Sequence, residues 1–319
     1  MDTAEISKAE PVSVSLTQDA DKSLDDELQQ LLQTLPKEEG WSGSSFYLYQ
    51  GFWCSARLKA VVSFQTHFPA SDSNVIVASL PKCGTTWLKT LTFSTLYRNQ
   101  LARDENPLRT STPHRLVRQL EYDVYVNNPC PNLENMCVYK PWLFATHVPY
   151  ASLPTSIKDS NCKIVCICRI ETPWIRSFLF GFSSASFETK TKSCFPEMKL
   201  LTSSVMESHE DLKEDISCEV KQLAMFLGVP FTEDEEKQGV VEEIATICSF
   251  ENLKELEVNK KGLFIPGIPN ESYFRKGKVG DWRNYFFTPS MVERLEKLIH
   301  QKLDASGLAF ELSSKTSKA

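Results

Sequence analysis

The run Val75-Ile76-Val77-Ala78-Ser79, continued by Leu80-Pro81-Lys82-Cys83-Gly84-Thr85-Thr86-Trp87-Leu88-Lys89, constrains the fold more than any other stretch of the chain. A short β-branched run broken by proline and glycine reads as a buried strand, and the residues after it follow a helical pattern. The stretch thus reads as strand, anion loop and helix, in that order. The loop offers an anion backbone N–H donors, a lysine and the positive end of a helix, so phosphate or sulfate suits it. The triphosphate-loop pattern G-x-x-x-x-G-K-[ST] is met only in part, because Lys82 precedes Gly84. An ordinary strand-to-helix turn with a surface lysine is the alternative on this local pattern.

With 319 residues the chain can form one large α/β domain or two smaller ones. A formal charge of −6 leaves no basic field across the chain, which argues against a nucleic-acid surface. The 10 cysteines are irregularly spaced and the first residues lack an apolar signal core, pointing to a reducing, cytoplasmic compartment. No window approaches the roughly 18 apolar residues of a membrane span. Residues 1–20 are polar without periodicity and are expected to be a disordered lead.

Ser23 and Asp26 suit the start of a short helix whose leucines Leu24, Leu28, Leu31, Leu32 and Leu35 share a face, ending near Pro36. Phe46-Tyr47-Leu48-Tyr49-Gln50-Gly51-Phe52-Trp53 is densely aromatic, and it suits either core or the wall of a pocket for a flat ligand. A weak helix is expected around Leu116–Leu120. Val138–Pro149 ends in His147, and Lys163–Arg169 is a second buried strand ending in Arg169. Open α/β sheets bind ligands at the carboxyl ends of their strands, which makes both positions suited to chemistry. Cys162, Cys166 and Cys168 would form one stripe on a strand, without the turn that wraps a metal.

Thr172–Phe182 can be helical, and 183–209 reads mostly as loop. Asp215 opens a helix through Val220, Leu223, Ala224 and Leu227, stopped at Gly228. Thr232 and Glu235 form a capping box for a helix to about Ile247. Glu255–Asn270 reads as irregular. Phe274–Arg283 holds the strongest basic cluster, and Thr288-Pro289 starts a last helix. Lys82 with Gly84-Thr85-Thr86, Arg169 followed by Ser177, and Arg275-Lys276-Gly277 together suggest one ligand with two separated anionic groups.

In these pieces the chain resembles a soluble sulfotransferase over about Trp41 to Leu308, in the plant cytosolic branch that sulfates flavonols, steroids and related hydroxyl compounds. Leu80–Trp87 is similar to the family's 5′-phosphosulfate loop, with Cys83 where serine is usual, so Lys82, Cys83, Gly84, Thr85, Thr86 and Trp87 are implied donor contacts, Trp87 by stacking on the adenine. Arg169 with Ser177 eight positions on resembles the first 3′-phosphate motif. Arg275-Lys276-Gly277-Lys278-Val279-Gly280-Asp281-Trp282 matches the second without change. Cys248-Ser249-Phe250 resembles the adenine side, so Cys248 and Phe250 are further implied contacts. Thr146-His147-Val148-Pro149 resembles the segment of the catalytic histidine, and His114 falls in a region similar to the substrate-proximal loop.

The resemblance implies an α/β fold with a central parallel sheet flanked by helices, as in P-loop kinases, in a single domain over 21–319. It implies 3′-phosphoadenosine 5′-phosphosulfate as co-substrate without a metal, and a small hydroxylated acceptor such as a flavonoid, steroid or hydroxyjasmonate, within plant secondary metabolism. Neither nucleic acid nor membrane is an expected partner. His147 would take the acceptor proton, and Lys82 would neutralise charge on the bridging phosphate oxygen. The chain departs from the family pattern after Ser177, which reaches His209-Glu210-Asp211-Leu212-Lys213 in only 32 positions. His209 stands there where a tyrosine touches the 3′-phosphate, and Arg169-Ile170-Glu171-Thr172-Pro173 replaces the usual Arg-Asn-Pro-Lys-Asp. A second reading follows from these departures: a degenerate member, or the product of an aberrant gene, that at most binds the nucleotide.

Overall fold

The computed structural model describes residues 26, 28–39, 45–54, 57–81, 83–101, 106–168, 204–208, 215–265, 267–274, 277 and 297. Five parallel strands make its centre, in the order β5 (Arg118–Gln119), β6 (Leu143–Thr146), β4 (Val75–Ser79), β7 (Lys163–Cys168) and β8 (Ser204–Ser208). The chain runs from β4 outward to β5 and β6 on one side, then crosses to β7 and β8 on the other. β4 therefore lies at the switch point, where the carboxyl ends of neighbouring strands open a crevice. The expectation of a central parallel sheet flanked by helices holds.

Register explains the apolar runs. Val75 and Val77 stand level with Leu143 and Ala145 on one side and with Lys163 and Val165 on the other. Alternate residues face opposite ways along a strand, so Val77, Ala145 and Val165 share one face, and Ile76, Phe144 and Ile164 the other. The first face packs on α3 (Thr85–Tyr97), α4 (Ile216–Leu227) and α5 (Val240–Ile247), through Leu91, Leu223 and Ile244 among others. The second packs on α1 (28–34) and α2 (Leu58–His67), through Leu28, Val61 and Phe64. With both faces covered, the strands have no need of polar alternation.

The leucine face of α1 settles on this second core, with Leu31, Leu32 and Leu35 packed against it. A separate antiparallel sheet of β1 (Lys37–Glu39), β2 (Ser45–Tyr49) and β3 (Phe52–Cys54) carries the aromatic stretch, turning at Gln50-Gly51. Asp215 caps α4 by accepting from the Cys218 N–H at 3.0 Å, and the Thr232–Glu235 capping box is formed as the sequence indicates.

Four expectations are corrected. The helix after the capping box breaks at Gln238-Gly239, into Glu233–Lys237 and α5. In place of a helix over Leu116–Leu120 there is a short turn at Pro113–Leu116, then β5, then a π-helical turn over Leu120–Val124. Hydrogen bonding of β5 to β6 outweighs local helix preference there. Ser204–Ser208, read as loop, is a strand, because backbone pairing with β7 requires no apolar run at a sheet edge. Glu255–Asn270 is ordered by the helical turn Glu257–Lys260 and a hairpin of Leu263–Ile265 with Ile268–Pro269, following α6 (Phe250–Glu255). The lead 1–20 and the helices expected over 172–182 and from Thr288 lie outside the described residues, apart from Lys297.

Candidate active site

The anion loop follows β4. Cys83 is 1% exposed and its N–H donates to the Leu80 carbonyl at 3.2 Å, closing the turn. Gly84 has φ 111°, a left-handed conformation that glycine adopts without a Cβ penalty, and α3 starts directly after it. Among the described residues no side chain caps that start, and the first-turn N–H groups of Thr85, Thr86 and Trp87 lie at the loop end of the helix. Thr85 is buried and its hydroxyl lies 2.7 Å from that of Ser79. Lys82 lies outside the described residues.

His147 follows β6 directly. Pairing of Ala78 with Thr146 places it level with Ser79, and its Nδ1 stands 2.6 Å from the Ser79 carbonyl oxygen. A carbonyl only accepts, so Nδ1 carries the proton and the neutral ring has its lone pair on Nε2. The ring sits edge-on to Tyr122 at 5.8 Å. His147 lines a pocket with Phe46, Phe52 and Trp53 of the β2–β3 hairpin and with Pro81 of the anion loop. The aromatic stretch both packs and lines this pocket, with Trp53 only 4% exposed. Arg57, Glu121 and Tyr122 complete the polar wall. Burial first, then the neighbouring Glu121, pushes the Tyr122 hydroxyl and the Cys54 thiol each up to about 12.

His114 is buried, not open to the pocket wall. Its ring lies 4.3 Å from that of Tyr273 and 5.0 Å from that of Phe264. Nε2 is 3.3 Å from the Thr86 hydroxyl and Nδ1 is 3.4 Å from Lys89 Nζ. Lys89 donates to Gln119 Oε1 at 3.0 Å, and Gln119 Nε2 donates to Glu121 Oε1 at 3.0 Å. Glu121 also accepts from the Thr146 hydroxyl at 2.9 Å and the His147 N–H at 2.8 Å. A polar chain therefore runs beneath the site from the anion loop to His147.

Sequence reasoning missed Lys89, Glu121, Tyr122 and Arg57. One signal was available for Lys89, the only charge in the helix Thr85–Tyr97. Glu121 and Tyr122 come from a turn whose π geometry has no clear residue pattern, and Arg57 stands at the N-cap of α2.

On the adenine side expected from the sequence, Cys248 is fully buried and its thiol donates to Ser94 Oγ at 3.4 Å, turned into the core. Ser249 caps α6, which begins with Phe250. Gly277 lies against that ring: a Cβ there would be 2.6 Å from Phe250 Cγ. Phe250 and Gly277 are thus brought together from separate motifs. Arg169, Ser177, His209, Arg275 and Lys276 lie outside the described residues.

The Sulfotransferase domain family matches residues 72–200 and 205–307 of this chain. Cytosolic sulfotransferase 15 of Arabidopsis thaliana is 41% identical over 330 aligned residues, covering 92% of this chain and 89% of the relative. A solved Arabidopsis thaliana sulphotransferase structure superposes with a TM-score of 0.67 at 31% identity, covering 91% of this chain and 98% of that one. Retinol dehydratase, solved with androsterone and the inactive cofactor PAP, superposes at a TM-score of 0.59 and 19% identity, covering 90% and 95%. At that identity the likeness speaks to the fold.

Proposed function

This chain belongs to the sulfotransferases, in the plant cytosolic branch, and from that premise we propose that it moves the sulfuryl group of 3′-phosphoadenosine 5′-phosphosulfate onto a hydroxyl of a small, flat acceptor such as a flavonoid, steroid or hydroxyjasmonate. The observation that carries this reading is His147, oriented by the Ser79 carbonyl and lining one pocket with three aromatic rings and the anion loop. Phe46, Phe52 and Trp53 offer a flat apolar seat, and His147 Nε2 takes the proton of the acceptor hydroxyl as its oxygen attacks sulfur. The bond from sulfur to the bridging phosphate oxygen breaks, and charge left on that oxygen is met by the first-turn N–H groups of α3 and by Lys82. The demands are those of phosphoryl transfer: position, a base, and stabilisation of the leaving oxygen.

The other donor contacts in this reading are Cys83, Gly84, Thr85, Thr86 and Trp87 at the 5′ end, Arg169, Ser177, His209, Arg275, Lys276 and Gly277 around the 3′-phosphate, and Cys248 and Phe250 near the adenine. With its thiol on Ser94, Cys248 would contribute through its backbone. No metal has a part in this arrangement. PAP, solved with retinol dehydratase, supports the donor assignment by family likeness.

The test is calorimetry with 3′-phosphoadenosine 5′-phosphate, followed by sulfate transfer to a panel of flavonols, steroids, hydroxyjasmonates and desulfoglucosinolates. Nucleotide binding with transfer to at least one class is expected. Binding with no transfer to any of them would favour the degenerate reading.

A further inference from the structure

The buried pair Lys89 and Glu121 has no part in the chemistry above, yet it is costly to keep. Lys89 is 0% exposed and Glu121 3%, and burying two charges is repaid only when each is well hydrogen-bonded and compensated. Glu121 has three donors on its two oxygens, and the shortest of these bonds is to the His147 backbone N–H at 2.8 Å. Lys89 is joined to it through a single side chain, Gln119.

Resting on the reading of His147 as the base, we propose that Glu121 is its positioning residue. The carboxylate pins the His147 backbone and favours the protonated ring formed during transfer, and Lys89, reached through Gln119, compensates its charge. His147 is then held at two points, its backbone by Glu121 and its ring by Ser79. A ring fixed in this way keeps Nε2 aimed while the acceptor exchanges, and misplacement of about 1 Å is enough to cost on the order of 100-fold in rate.

The charged and titratable groups around this pair come from several elements. Tyr122, Cys54 and Arg57 face His147 across the pocket, with Arg57 stacked over Tyr122 at 4.5 Å. Asp123, Glu121 and His114 surround Lys89. Burial drives the Lys89 ammonium down to about 7, with Glu121 and Asp123 partly opposing it. When Lys89 donates, His114 Nδ1 accepts and Nε2–H donates to Thr86, so the same chain reaches the anion loop.

Glu121→Gln separates charge from shape. The amide oxygen can replace Oε1 toward Gln119 and His147, while the Thr146 hydroxyl, which already accepts from the Val148 N–H at 3.0 Å, can accept from the amide nitrogen. The measurement is an NMR titration of the histidine imidazoles in the full chain saturated with 3′-phosphoadenosine 5′-phosphate. The His147 signal is assigned by its loss in His147→Ala. Loss of the carboxylate is expected to move the His147 midpoint down by about one pH unit in Glu121→Gln with the melting temperature retained. A second arm compares Lys89→Met, expected to lose stability, with Lys89→Met/Glu121→Gln, expected to regain part of it because no buried charge is then left alone. An unchanged His147 midpoint in folded Glu121→Gln overturns the proposal, and so does a double variant less stable than Lys89→Met. Sulfate transfer by His147→Ala keeps the two readings apart: retained transfer sinks the base assignment, whereas lost transfer with an unmoved midpoint sinks only the role of Glu121.

Discussion

Gly277 shows how much a single residue can depend on a distant one. Its φ is 61° and the space a Cβ would take is filled by the ring of Phe250, at 2.6 Å from Cγ. Gly277→Ala is therefore strained in the backbone and also drives Phe250 from its place. The expected result is affinity for 3′-phosphoadenosine 5′-phosphate reduced by about 10-fold or more, read by calorimetry, with the fold retained by circular dichroism; unchanged affinity would detach this pair from the nucleotide site. Gly277 was legible as part of the Arg-Lys-Gly motif. That its missing side chain makes room for Phe250 was not, because the two meet only through tertiary packing. His147 was legible for a simpler reason: a polar residue at the end of an apolar strand stands out, whereas Glu121 sits in a turn with no periodicity to mark it.

Among the elements, Arg98 ties the end of α3 to the short helix Glu233–Lys237 and the segment before it. Arg98 Nε is 2.7 Å from Glu235 Oε1, the guanidinium also donates to the Pro230 carbonyl, and it stacks over Phe231 at 4.3 Å. The Arg98 hydrogen bond, helped by those of Thr232, holds the Glu235 carboxyl down to about 2. A depressed carboxyl stabilises the fold above its ordinary value near 4.5 and loses that contribution as pH falls toward 2. Arg98→Met should lower stability by about 2 kcal/mol at neutral pH and flatten the acid-side decline, checked by denaturant titration at several pH values. Equal slopes in the two proteins would place the acid sensitivity elsewhere. The capping box at Thr232 was readable because caps are local chemistry. Strands β5 and β8 were not, since each depends on a partner strand far along the chain, whereas the break at Gln238-Gly239 carries a local mark, a glycine at φ 72°.

Over the molecule as a whole, one parallel sheet divides two cores, and the alternation of Val75, Ile76 and Val77 between them fixes which helices lie on which side. Phe64 is fully buried in the second core, with ring centroids 5.4 Å from Phe68 and 5.8 Å from Tyr125. Phe64→Ala should cost about 3–5 kcal/mol by thermal or denaturant unfolding, and a cost below about 1 kcal/mol would mean this face is not integral to the fold. The strands β4, β6 and β7 were legible because buried parallel strands are apolar runs with chemistry at their carboxyl ends, while the switch point at β4 follows only from the strand order. The central claim is that His147 is the base of a sulfuryl transfer. It is tested most directly by comparing sulfate transfer from 3′-phosphoadenosine 5′-phosphosulfate in the parent chain and His147→Ala, with affinity for 3′-phosphoadenosine 5′-phosphate measured on the same preparations. The account predicts transfer reduced by about 100-fold or more at unchanged affinity; transfer by His147→Ala within a few-fold of the parent would contradict it.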